Sequence, residues 1–497
     1  MKKALIFLHK WLGVGLALLF LMWFASGIVM VYVPFPALGV DERLAGTAPL
    51  RLDGCCLGAQ EAAARADVAF SEARLGMHGV VPVWRILSSD KRWLTLDARD
   101  GAALAALSDA EAAQVAERFS GRRALHAERL ERDQWTVAQG YNPHRPLVRV
   151  AMAGADGLEL YVSPGAAEVV LDTRRAERAW NWVGAVPHWL YFTQLRRWPE
   201  LWNGVVVWLS LPGVLLAASG LALGVWQLYL NRSRWIPYRK FWMRWHHIVG
   251  LAAGVACVTW IFSGLLSMNP FGVFSPRGAT PGERTAWIGE PAALRVNPAQ
   301  ALALAARPAT REIDLVQLQG RSWYRLRGAA GPADQVLVSA DRANEAVLPA
   351  LPRAAVTAAL STLRVDEAGA GAPVLTRLAQ YDGLYYSREP AGEAGTHTRP
   401  LPVWRAAWAD GVTLYADPAS ARLLLRADSG TPWQRVLYNG LHSFDFAPLL
   451  ARPLLRVSLL LGLCVLGLVL CSTGCVLAWR VLAPARRRGE ARSNRAR

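Results

Sequence analysis

Cysteine is scarce in this chain: six residues in 497, too few for a dense disulfide framework. Charge is scarce too, at 19% against 53% hydrophobic residues. That balance excludes a disordered chain and a collagen-like repeat. P-loop, zinc-finger and RNA-binding signatures are missing, and so is the glycine-rich dinucleotide fingerprint. The net charge of +17 therefore needs a cause other than nucleic acid.

The lack of charge is concentrated. Residues Trp11–Val40, Leu201–Asn231, Trp245–Pro276 and Val457–Trp479 carry no Asp, Glu, Lys or Arg. A bilayer crossing needs roughly 20 apolar residues, so each stretch is long enough. The pattern predicts transmembrane helices within 1–33, 188–231, 246–269 and 442–480, the second and fourth preceded by an interfacial segment. A short loop, 232–245, and a basic tail, 481–497, join or follow them. Two large polar blocks, 34–187 and 270–441, fill the rest. The long apolar run near Met1 reads as a retained helix rather than a cleaved signal.

Basic residues set the orientation. Lys2, Lys3 and Lys10 precede the first stretch; Arg232, Arg234, Arg239, Lys240 and Arg244 lie between the second and third. Arg480, Arg486, Arg487, Arg488, Arg492, Arg495 and Arg497 follow the fourth, with Glu490 the one acid among them. Positive flanks stay in the cytoplasm, which predicts both termini inside and both large blocks exported, as in a bacterial inner membrane. The high pI reports topology.

The chain is internally duplicated. HKWLGVGLALLFLMWFASG from His9 aligns without gaps on HHIVGLAAGVACVTWIFSG from His246. His188 precedes Ser219-Gly220 by the same offsets that separate His442 from Thr473-Gly474, and Asp156-Gly157 corresponds to Asp410-Gly411. In the blocks, WRILSSDKRWLTLDARDG and WYRLRGAAGPADQVLVSADRAN alternate as hairpins do. Gln60–Phe70 and Asp109–Phe119 read as amphipathic helices. The expected fold is a four-helix transmembrane bundle with two exported α+β domains, each with two small antiparallel sheets.

Five of nine histidines lie at ends of the apolar stretches: His9, His188, His246, His247 and His442. Ligating side chains in membrane helices are costly and mark function. The repeat pairs His9 with His246 near the inner face and His188 with His442 near the outer face. Two imidazoles from facing helices are a means of holding a six-coordinate haem iron. His247 is an alternative to His246. Gly13 and Gly250, one turn from their histidines, leave room for a flat macrocycle. Ser26-Gly27 and Ser263-Gly264 follow 17–18 residues after His9 and His246, about 25 Å at helical rise, which brings them to the other face.

The remaining histidines, His78, His126, His144 and His397, do not repeat and read as ordinary surface or core residues. Without Cys-x-x-Cys-His, covalent c-type haem is not expected. Adjacent cysteines join each other only with difficulty, so Cys55 and Cys56 are expected as free thiols or with separate partners. Cys257, Cys464, Cys471 and Cys475 read as small apolar packing residues. Trp198, Trp202, Trp235, Trp242, Trp245 and Trp479 flank the stretches as an interfacial belt. The short inner loop and tail hold no room for a flavin or nicotinamide domain, so a quinol or a separate reductase is the expected electron donor.

With LHKWLG at Leu8–Gly13, WHHIVG at Trp245–Gly250, PHWLYF at Pro187–Phe192 and GLHSFDF at Gly440–Phe446, the chain resembles the PepSY-associated transmembrane helix (PiuB-like, iron-regulated) family. DGLELYVSP and DGVTLYADP resemble the strand-and-turn part of PepSY units. The resemblance covers essentially the whole chain. It implies an inner-membrane oxidoreductase that passes electrons through two b-type haems to a periplasmic ferric siderophore, releasing Fe(II). It also implies that His9, His188, His246 and His442 are the axial ligands, with no side-chain acid or base required. Two departures stand out: the exported blocks are larger than in compact siderophore reductases, and LHSFDF stands where related chains often have LHTG. Two other functions compete. One is a membrane-anchored PepSY module that binds or inhibits a protein partner; the other is a siderophore or haem transporter.

Overall fold

The computed structural model describes residues 2–230, 236–365, 367, 369–388 and 399–483. His397, Trp235, Arg232, Arg234 and the tail arginines beyond residue 483 lie outside the described residues. The chain divides into a helical unit (1–35, 179–273 and 433–497) and a sheet unit (36–178 and 274–432).

Among the described residues of the helical unit, four long helices run Lys2–Tyr32, Pro199–Leu230, Phe241–Ser267 and Pro453–Leu482. Each is long and apolar enough to cross a membrane. At a rise of about 1.5 Å per residue even the shortest exceeds the roughly 30 Å hydrocarbon layer. Their outer faces stay apolar, with Leu18, Trp208, Val255 and Leu454 all exposed. Helices apolar all round suit lipid rather than water. The third helix begins at Phe241, five residues before the expected start, so His246 and His247 lie within it. The first helix packs along the second and fourth, and the third does the same. Phe20, Phe24, Trp260, Ile261, Cys257, Cys464 and Cys471 fill the space between them. A Cβ at Gly467 would overlap the Phe24 ring, so glycine sets how closely the first and fourth helices approach.

Fourteen strands are described in the sheet unit, in two runs of seven. The first run is β1 (Phe70–His78), β2 (Val81–Ser88), β3 (Trp93–Asp97), β4 (Ala124–Leu130), β5 (Leu147–Met152), β6 (Glu159–Ser163) and β7 (Glu168–Thr173). The second is β8 (Glu312–Leu318), β9 (Arg321–Arg327), β10 (Gln335–Ser339), β11 (Val374–Leu378), β12 (Val403–Ala407), β13 (Thr413–Asp417) and β14 (Arg422–Ala427). β4–β7 and β11–β14 form separate four-stranded antiparallel meanders. The two three-stranded units, however, join into one six-stranded sheet, β10-β9-β8-β1-β2-β3. The join is antiparallel, with Arg74 opposite Asp314 and Leu75 opposite Ile313. The two blocks, read from the sequence as successive domains, thus share a sheet. Alternation predicts strands and faces but not which edge finds which.

The hairpins expected at Trp84–Gly101 and Trp323–Asn344 are β2–β3 and β9–β10. The expected 109–119 helix runs Asp109–Ser120, opened by a Ser108–Glu111 capping box. The helix expected over 60–70 is shorter, Ala59–Arg65. Asp67 takes a positive φ of 53°, which ends the helix, and Phe70 already belongs to β1. The repeat persists in detail. Arg122 donates to Asp156 (2.6 Å) as Arg364 does to Asp410 (2.7 Å). The Tyr161 hydroxyl donates to Asp133 (2.6 Å) as Tyr415 does to Asp382 (2.9 Å).

Beside the β1–β8 join lies a buried ionic cluster. Arg43 donates to both oxygens of Glu312 (2.7 and 2.9 Å) and to Glu168 (3.2 Å). Arg74 on β1 donates to Glu168 on β7 (2.7 Å), and Arg327 pairs with Glu312 and Asp314. Burial alone would raise the Glu168 carboxyl; Arg74, Arg43 and Arg85 outweigh it and hold it at about 2. Glu312 is likewise held well below the usual carboxylate range, where Arg43, Arg327 and Arg74 overcome burial.

The expectation for Cys55 and Cys56 is overturned: they are bonded to each other. The other four cysteines lie in the long helices, Cys257, Cys464 and Cys471 buried and Cys475 partly so, so no third thiol shares the sheet unit.

Candidate functional site: two facing histidine pairs

His9 sits in the second turn of the first helix and His246 in the second turn of the third. Their rings face each other with centroids 6.3 Å apart. The second pair comes from shorter elements. His188 ends a four-residue helix, Ala185–His188, and His442 lies in the turn Leu441–Ser443. Two residues later, Leu190 (φ 53°) and Phe444 (φ 54°) adopt the left-handed conformation. Such geometry is uncommon for side chains of this size, and its recurrence after both histidines marks a place where backbone strain is retained. His188 and His442 also have centroids 6.3 Å apart.

Each ring has a hydroxyl within 3.4 Å of its Nδ1. Ser26 lies 3.0 Å from His188 Nδ1, Ser263 3.0 Å from His442 Nδ1, and Thr473 3.0 Å from His246 Nδ1. For His9 the Leu216 carbonyl, at 3.2 Å, is the nearer partner of Nδ1, with Ser219 at 3.4 Å. The glycine following each hydroxyl residue lies against the same ring. A Cβ at Gly27, Gly264 or Gly474 would fall 3.5–3.7 Å from the imidazole Cε1, and one at Gly220 only 2.6 Å from His9 Cε1. The pairing is crossed. The first helix orients the histidine preceding the second, and the second orients that of the first; the third and fourth repeat the arrangement. Trp23 Nε1 additionally donates to the His188 carbonyl (3.1 Å).

Around the His9–His246 pair is a cavity of about 550 Å³, within the usual range for cofactor and ligand sites. Gly13, Gly250, Gly220 and Gly474 line it, with Lys10, Lys240 and Arg480 also on its wall. His247 lines it as well, but its ring packs on Tyr238 (5.3 Å), and the imidazole opposite His9 is that of His246.

The other described histidines form no such pair. His144 stacks on Trp93 (5.7 Å) and contacts Ser163 Oγ (3.1 Å). Burial pushes its pKa down to about 4, with Glu168 opposing and Arg74 adding to the fall. His78 is partly buried and His126 exposed.

Two metal–imidazole bonds of about 2 Å, with about 1.1 Å from each nitrogen to its ring centre, span roughly 6.2 Å. The observed centroid separation of 6.3 Å at both pairs is close to that span. Among the described residues no group of three or more His, Cys, Asp or Glu gathers to hold a bare ion. In comparisons with known proteins, no family model matches the chain and no curated protein matches it.

The sequence pairs the histidines and sends Ser26-Gly27 and Ser263-Gly264 to the far face. It does not identify their hydroxyls as the partners of His188 and His442, nor Ser219 and Thr473 as those of His9 and His246. The signal was present: a Ser-Gly or Thr-Gly dipeptide in every long helix, each at the end away from that helix's own histidine.

Proposed function

We propose that this is a bacterial inner-membrane electron-transfer protein of the PepSY-associated transmembrane helix type. It carries electrons through two b-type haems to a ferric siderophore, or another ferric chelate, on the outer side. The observation that carries the proposal is the fourfold pattern of hydroxyl-oriented imidazoles in two pairs at 6.3 Å. His9 and His246 would hold the inner haem, His188 and His442 the outer. The hydroxyl contacts at Nδ1 leave Nε2 as the nitrogen that would ligate, in the manner of the partners that orient metal-bound histidines. Gly13, Gly220, Gly250 and Gly474 keep the inner cavity open to a flat ring.

When bound, haem iron supplies one-electron redox chemistry that no side chain here provides. The apolar core of Phe20, Phe24, Trp260 and Ile261 keeps water out of the span between the pairs. Ferric iron held by hard oxygen donors is released on reduction because the less charged Fe(II) binds them more weakly. The positive flanks support an orientation with both termini inside and the sheet-bearing blocks outside; a quinol or a separate reductase would be the donor.

The test is reduction of ferric chelate by the full-length protein in sealed vesicles, reductant inside and an Fe(II)-specific dye outside. The expected result is Fe(II) appearing at one electron per iron, lost in His188→Ala and His442→Ala. Equal rates in both variants and the native protein would contradict the proposal.

A further inference from the structure

Arg196 carries an unanswered charge. It ends the short helix Thr193–Arg196, just before the second long helix, and is about nine-tenths buried. Its guanidinium lies over the rings of Trp202 (4.4 Å) and Tyr191 (5.1 Å). Its Nε and Nη1 are buried with no hydrogen-bond acceptor, and no carboxylate among the described residues pairs with it. Ring faces attract a cation but accept no in-plane N–H bonds. A buried guanidinium normally has an oxyanion in its fork.

The second half of the chain supplies an internal comparison. His188 and Pro199 correspond to His442 and Pro453, eleven residues apart in each case, which aligns Tyr191 with Asp445 and Trp202 with Arg456. There Arg456 meets the fully buried Asp445 carboxylate at 3.3 Å. The first half has exchanged that carboxylate and arginine for two aromatic rings. It has gained an arginine where the second half has Leu450. One copy pairs its cation with an anion of its own; the other has a cation at a different position and lacks the anion.

We propose that Arg196, between Tyr191 and Trp202, is a binding site for an oxyanion from outside the chain, a carboxylate or a phosphate. Two sources share this chemistry. One is the phosphate of an outer-leaflet lipid, at the level where Trp198 and Trp202 form an aromatic belt. The other is a propionate of the outer haem, whose ligand His188 lies eight residues before Arg196. Only the second source rests on the function proposed above.

The experiment compares full-length native protein with R196Q, R196K and R197Q in dodecylmaltoside. Phosphatidylglycerol is titrated in and followed by native mass spectrometry, with a visible redox titration run in parallel. For a lipid phosphate, R196Q should bind phosphatidylglycerol about tenfold or more weakly, R196K should fall between, and R197Q should match the native protein. For a propionate, lipid binding is unchanged and the outer-site midpoint potential shifts in R196Q and less in R196K. Should R196Q fail to fold, R196K, which keeps the charge and loses the planar fork, decides alone. Colourless native protein would end the haem reading while the lipid titration still judged Arg196. If R196Q and R196K match the native protein in both measurements, or if R197Q changes as much as they do, the site is overturned.

Discussion

Removing a single hydroxyl discriminates between an oriented ligand and a merely adjacent one. Ser26→Ala, Ser263→Ala and Thr473→Val each take away the 3.0 Å contact at one histidine Nδ1. Loss of such an outer partner costs about 10- to 100-fold in affinity for the group held. Each variant is expected to keep its fold and lose haem from its own pair at that scale, measured by haem transfer to an acceptor apoprotein. Ser219→Ala should cost less, since the Leu216 carbonyl remains on His9 Nδ1 at 3.2 Å. The glycines separate in the same way. Gly220→Ala puts a methyl 2.6 Å from His9 Cε1 and must displace the ring, whereas at Gly264 the methyl meets His442 at an ordinary 3.7 Å. Inner-site haem is therefore expected to be lost in Gly220→Ala and outer-site haem retained in Gly264→Ala.

Between elements, two contacts each have their own test. Gly467 admits Phe24 between the first and fourth long helices, while nothing lies near a Cβ at Gly462. Overpacking of this kind costs about 1–3 kcal/mol, so Gly467→Ala is expected to lower the unfolding temperature and Gly462→Ala to leave it unchanged or raise it. In the sheet unit, Glu168 titrates near 2 when folded against an ordinary 4.5 when unfolded. Its contribution, about 3 kcal/mol, is present in full above pH 4.5 and disappears as the pH falls towards 2. Unfolding followed from pH 6 to pH 2 should show that loss, and Glu168→Gln should be destabilised at pH 6 with a flatter acid limb. The long helices were legible because an uncharged run needs no partner to be recognised. The hairpins were legible from alternation. The β1–β8 join and the Arg43–Glu312–Glu168–Arg74 cluster were not, because their members are separated by up to 269 residues and nothing local announces the pairing. Cys55–Cys56 was misjudged by a general expectation about neighbouring cysteines.

At the scale of the whole molecule, duplication is the organising fact. Among the described residues it yields two runs of seven strands, two pairs of long helices and two histidine pairs with one repeated set of orienting residues. Histidine pairing was legible because both copies survive in register. The hydroxyl partners were obscured because each lies on a different helix from the ring it holds. The repeat also shows where the halves diverge: Asp445–Arg456 in one and Tyr191–Trp202 around Arg196 in the other.

The central claim, one macrocycle per histidine pair, is tested most directly by the haem-to-polypeptide ratio of the purified full-length protein. The account predicts a ratio of two for the native chain, one for His246→Ala and one for His442→Ala, and none when both are replaced. A native ratio of zero, or a ratio of two persisting in the double variant, would contradict it.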